Sequence, residues 1–267
     1  AMLEFTAGKD RVLDKRIAGP DILASIAHVL MLQESGLIES IEAEKLTHEL
    51  RNLYKLAMEP DFAIPVEFED VHSWIEAMLT AKLGLTGKKV HTARSRNDQV
   101  NTALRIYFRA EAEEIALLCR ELALLLLKKG KKNANLLMPG YTHMQVAMPS
   151  SFGLWYGAYA ESIADDLLML HAAYRYLNQN PLGSGAGFGS GFKINRETTT
   201  ALLGFEQLCI NSIYAQMTRG KTEKILASSL AAIASTLSRM AEDVCLWLGE
   251  NFRFFILPVH LSTGSSI

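Results

Sequence analysis

Arg94, Arg96, Asn97 and Asp98 fall within ten residues, HTARSRNDQV (91–100), where a long helical pattern begins. Guanidinium forks beside a helix N-terminus suit a carboxylate ligand. The same residues also serve a capped helix with a solvated charged turn, and residue types alone leave both readings open. A second polar segment is MPGYTHMQVAMPS (138–150), with Thr142, His143 and Gln145 between Pro139-Gly140 and Pro149. A histidine among hydrogen-bonding neighbours on a constrained turn is placed to act as a proton donor or acceptor. A third is PLGSGAGFGSGF (181–192), with glycine at every second position from Gly183 to Gly191. It lacks the G-x-G-x-x-G spacing and a Walker A lysine, so a nucleotide-phosphate loop is excluded. Close backbone approach to a neighbouring chain or ligand suits these glycines, and a merely flexible loop suits them equally.

Helices must position these segments. Asp21 after Pro20 reads as an N-cap, followed by Ile22, Ile26, Val29 and Leu30, with Gly36 as a stop. Ser40 reads as the next N-cap, before Leu46, Leu50, Leu53 and Leu56; a third pattern runs from Glu67 to Leu83. Ser95 and Asp98 have capping-box spacing, and no proline interrupts Gln99 to Lys132. In the KKGKK run that closes this pattern, Gly130 fits a C-cap. Two further long helices are predicted from about Ser150 to Asn178 and from about Thr222 to Glu250. Strand alternation is scarce, so any hairpin is short. The long helices are apolar on most sides, so three of them cannot bury one another. The bundle is expected to continue into partner subunits.

Composition narrows the function classes. Hydrophobic residues make up 49% of the 267 residues and charged residues 21%, which excludes a disordered chain. The net charge of -2 advertises neither nucleic acid nor a membrane surface. Cys119, Cys209 and Cys245 form no CxxC pair, so a disulfide framework or zinc site is not expected, and a reducing, cytoplasmic setting is. The apolar run 115–127 is interrupted by Arg120 and Glu121 and is shorter than the roughly 20 residues of a bilayer span.

HTARSRNDQV, PGYTHMQ, NPLGSGAGFGSGF and RMAEDVCLWLGENFRFFILP, followed by STGSSI, resemble in identity and order the motifs of argininosuccinate lyase. That family lies within the fumarase/aspartase superfamily and is similar to the delta crystallins. The resemblance runs from about Phe5 to Ile267. HTARSRNDQ is specific to the branch, whereas GSSI opens the superfamily signature G-S-S-x-M-P-x-K-x-N.

The resemblance implies an all-α fold. A small N-terminal helical domain (1–93) would precede a central long-helix bundle domain (94–267), incomplete at its C-terminal end. Four such bundles would form a twenty-helix homotetramer with active sites shared between subunits, without cofactor or metal. The implied reaction is reversible β-elimination of argininosuccinate to arginine and fumarate. By motif, Ser265 matches the catalytic base and His143 the general acid or its relay. Thr142, Asn97, Arg96, His72 and Asp14 match substrate-binding positions, and Arg219 matches a further arginine. Two departures stand out: Gly220 follows Arg219 where the family has an acid, and Asp10 stands where a serine is expected. The M-P-x-K-x-N half of the signature is also missing. A fragment of low activity is therefore expected. A crystallin-like protein without turnover and a sibling fumarate-releasing lyase are the alternatives.

Overall fold

The predicted helices recur, with shifted ends, in a computed structural model that describes residues 5, 7–262 and 264. The elements used below are α1 (Ala18–Glu34), α2 (Ser40–Ala57), α3 (Val71–Leu83), α4 (Arg96–Lys132), strands β1 (Leu137–Thr142) and β2 (Gln145–Ser151), α5 (Phe152–Leu177), α6 (Arg196–Leu202), α7 (Ser212–Met217) and α8 (Lys221–Leu248). The described residues are dominated by helix, as the sequence predicts. The chain forms two compact units, Ala1–Glu113 with Ala173–Lys224, and Glu114–Ala172 with Ile225–Ile267. Their boundaries cut through α4, α5 and α8.

In the first unit, α1, α2 and α3 share one core. Ile22, Val29 and Leu32 meet Leu46 and Leu50 of α2 and Ile75 and Leu79 of α3, all fully buried. Apolar burial of this kind contributes roughly 25 cal/mol per Å². Several caps differ from the sequence expectation. Asp21 is not an N-cap: α1 begins at Ala18, so Asp21 lies inside the helix and is fully buried. Glu39, not Ser40, caps α2, in a capping box with Glu42. α3 starts at Val71 rather than Glu67, because Asp70 caps it by accepting from the Ser73 N–H at 2.7 Å. Gly84, at φ +59°, ends α3 in a backbone conformation that favours glycine.

In the second unit, β1 and β2 form an antiparallel hairpin. A register shift at Gly140/Tyr141 leaves Ala147 as an extra residue on β2. Phe152, Trp247, Trp155, Phe252, Phe254 and Phe255 pack into an aromatic core, which explains the apolar run after Glu250. Phe254 folds back by donating its N–H to Trp247 O at 3.0 Å. Gly130 is not a C-cap, since α4 continues to Lys132. An added Cβ there would lie 3.3 Å from Gly153 O, so Gly130 permits α4 and α5 to approach closely.

Candidate active site

The arginine-bearing segment is built from four pieces of the first unit. Asp70 sits at the α3 N-terminus, where one carboxylate oxygen accepts from the Ser73 N–H and Oγ–H, both at 2.7 Å. The other accepts from Arg96 Nη1 in the first turn of α4, and Arg96 also reaches Ser73 Oγ at 3.5 Å. Burial would raise the Asp70 pKa, but the Ser73 donors and the Arg96 guanidinium outweigh it and hold the carboxyl below its usual range. Asp14, in the 3₁₀ turn Asp14–Ile17, accepts from the Val71 N–H at 3.2 Å. Burial keeps its carboxyl above the usual range, against that hydrogen bond and the pull of His72. Asn97 is exposed beside Arg96, with Nδ2 3.5 Å from Ser95 Oγ. A cavity of about 530 Å³ beside Arg96 is lined by Ser73, Glu76, Thr80, Lys88 and His91.

Behind this rim lies a buried polar layer. His72 Nδ1 is 3.0 Å from Asp21 Oδ2. Gln99 Nε2 donates to both Asp21 oxygens at 3.0 Å. Arg94, which the sequence groups with the carboxylate binders, is instead buried and donates to Ser25 Oγ at 2.9 Å. Burial would depress the His72 pKa, yet the Asp21 carboxylate overrides it and lifts the imidazole above its ordinary value. Asp21 is held low in return, its desolvation outweighed chiefly by His72.

Asp98 resolves the glycine-rich loop. Its buried carboxylate accepts from the N–H groups of Ser95 (2.9 Å), Gly183 (2.8 Å) and Gly185 (2.9 Å). The close approach is thus to a side chain of the same chain. Gly183 and Gly185 sit at φ +82° and +62°, and a Cβ on Gly185 would lie 2.7 Å from Gly189 O. Asn101, one turn further along α4, donates to Ala215 O (2.9 Å) and Thr218 Oγ1 (3.2 Å). That ties the turn bearing exposed Arg219 to the same helix end.

The structure therefore groups Asp14, His72, Arg96 and Asn97, and adds Asp70 and Asp21, whose roles the sequence does not announce; Asp98 accepts from the Ser95 N–H as its capping-box spacing predicts, and its hold on the glycine-rich loop is new. The missed signal was a polar stripe, Asp21, Ser25 and His28, on an otherwise apolar helix. Thr142 and His143 belong to the second unit. His143 and Met144 form the two-residue hairpin turn, both at positive φ (+51° and +62°), and both are exposed. Non-glycine residues seldom adopt that conformation, and it sets the imidazole on the hairpin tip. Ser265 lies outside the described residues.

The chain is 51% identical to the argininosuccinate lyase of Phocaeicola vulgatus over 98% of its own length and 59% of that protein's. It resembles a solved EDDS lyase variant with bound fumarate at 28% identity and a TM-score of 0.86, covering 95% of this chain and 50% of that one. A class II fumarase from Schistosoma mansoni shares the fold, at 18% identity and a TM-score of 0.79, over 95% of this chain and 61% of that one. The chain thus spans about three-fifths of the length of the curated relative it matches. The sequence profile of the family Lyase_1, described as Lyase, matches residues 5–267, and the chain belongs to that family.

Proposed function

We propose that the chain supplies the substrate-binding and proton-transfer residues of an argininosuccinate lyase, which releases arginine and fumarate by reversible β-elimination. The observation that carries this reading is the 51% identity over nearly the whole chain to a protein of that name. In this reading Arg96 and Asn97 receive a carboxylate of the succinyl moiety. Arg96 presents its fork already oriented by Asp70 and Ser73, so little side-chain entropy is lost on binding. Preorganised donors of this kind stabilise the doubly charged carboxylate that develops when a Cβ proton leaves. Ser265 takes that proton, and His143 delivers one to the departing guanidinium nitrogen or relays it. Thr142, His72, Asp14 and Arg219 complete the contacts with substrate. No cofactor takes part. The bound fumarate of the EDDS lyase relative supports a dicarboxylate-shaped site.

The same reading gives a cytoplasmic homotetramer with domains 1–93 and 94–267 and active sites assembled from several subunits. Among the described residues, Leu117, Leu118, Leu124 and Leu125 of α4 are about half exposed, an apolar surface that suits burial against partner helices. No helix of the described residues is long and apolar enough to cross a membrane. A thermal-shift series with argininosuccinate, fumarate, malate, aspartate and adenylosuccinate tests the assignment. Argininosuccinate and fumarate are expected to raise Tm, because a ligand of the native state stabilises it. A shift with adenylosuccinate or aspartate and none with argininosuccinate would overturn the assignment.

A further inference from the structure

Asp21 is a carboxylate with no solvent exposure, inside α1, where it caps nothing. A buried carboxylate is strongly unfavourable unless it is paired and hydrogen-bonded. Here groups from three other segments converge on it: His72 from α3, Gln99 from α4, and the charge of Arg94 from the preceding loop. Gln99 and Arg94 are themselves buried, so the layer is walled off from water on the side facing the core. The charged groups that act on the His72 ring are Asp21 from α1, Asp14 from the 3₁₀ turn, Asp70 from the α3 cap and Arg96 from α4. His72 Nδ1 lies 3.0 Å from Asp21 Oδ2, and Nε2 sits on the opposite edge of a ring whose side chain is only 3% exposed. A buried carboxylate on one imidazole nitrogen determines both the tautomer and the ring plane presented by the other.

We propose that Asp21 is a positioning residue for His72: its carboxylate holds the Nδ1 proton and the ring orientation, so that Nε2–H donates to the dicarboxylate received by Arg96 and Asn97. The ligand half of this inference rests on the functional reading above; the Asp21–His72 pairing does not.

The test is long-range 1H–15N NMR on the full chain labelled in histidine, with the His72 signals assigned by loss in His72→Gln. In the wild type, His72 Nδ1 is expected to carry a proton at pH 7 and to titrate above the ordinary histidine value. In Asp21→Asn the midpoint is expected to fall below that value, with fumarate binding weakened at least tenfold and the far-ultraviolet circular dichroism unchanged. A merely structural pair would shift the midpoint in the same way but leave fumarate affinity in the folded Asp21→Asn unchanged, and that outcome overturns the ligand half of the proposal. An unprotonated Nδ1 in the wild type at pH 7 overturns the proposal without any variant, which covers the case of Asp21→Asn failing to fold. An unchanged His72 signal in a folded Asp21→Asn also overturns it. Absence of fumarate binding by the wild type would sink the functional reading, and with it the ligand half, while the imidazole spectrum still decides the pairing.

Discussion

Asp70 uses its two oxygens for different tasks: one caps α3 through Ser73, and the other steadies Arg96. Asp70→Ala removes both and is expected to lower stability by about 1–2 kcal/mol in urea denaturation. Asp70→Asn keeps an acceptor for the cap and is expected to lose less than half of that. His28 gives a pH-dependent counterpart. It is fully buried, shares a hydrogen bond of 2.8 Å with Thr92 O through Nε2, and burial pushes its pKa down to about 3. The unfolded chain takes up a proton near 6.5 that the folded chain refuses, so His28 favours folding above that pH. Its contribution is lost as pH falls from 6.5 towards 3. Asp21 enters only below its ordinary value of 3.8, so the two limbs separate. Thermal melts of His28→Phe between pH 7 and pH 4 are expected to show a flatter acid limb than the wild type. An equally steep limb would place the acid sensitivity elsewhere.

At the scale of elements, the glycine-rich loop and the first turn of α4 form one assembly through Asp98. Gly185→Ala would force a side chain into a left-handed conformation and bring its Cβ against Gly189 O. The expected loss is about 1–3 kcal/mol by chemical denaturation. Ala on the exposed, unhindered Gly191 is expected to be near neutral. The β1–β2 turn gives the opposite sign. Met144 is exposed at φ +62°, so Met144→Gly relieves a strain of roughly 1 kcal/mol, partly offset by the added freedom of the unfolded chain. A small rise in Tm is expected. The longer helices, α1 to α5 and α8, were legible because apolar residues recur along them at helical spacing, whereas the short α6 and α7 carry too few residues to show a period. The first turns of the longer helices were less legible. A buried aspartate within a helix and a capping aspartate look alike in sequence, and Pro20 tolerates either position in the first turn.

At the scale of the molecule, α4 exposes a row of leucines that a single copy leaves uncovered. Sedimentation equilibrium is expected to give a mass several times 29.6 kDa. Leu118→Glu together with Leu125→Glu is expected to reduce it towards one chain without loss of helical circular dichroism. A monomeric wild type would count against sites shared between subunits.

The residue order alone determined the helical class, the rough spans of the long helices, and the motifs that tie the chain to its lyase relatives. These properties are local: periodicity and spacing are read from neighbours in sequence. Which carboxylate meets which cation was decided by tertiary structure alone. Arg96 shares its Asp70 with the α3 cap, and Asp98 gathers the amides of a loop 85 residues away. The Asp21–His72 contact joins two helices, and nothing in either local pattern requires it. Buried polar pairing depends on which groups packing leaves without water, and only the folded chain decides that.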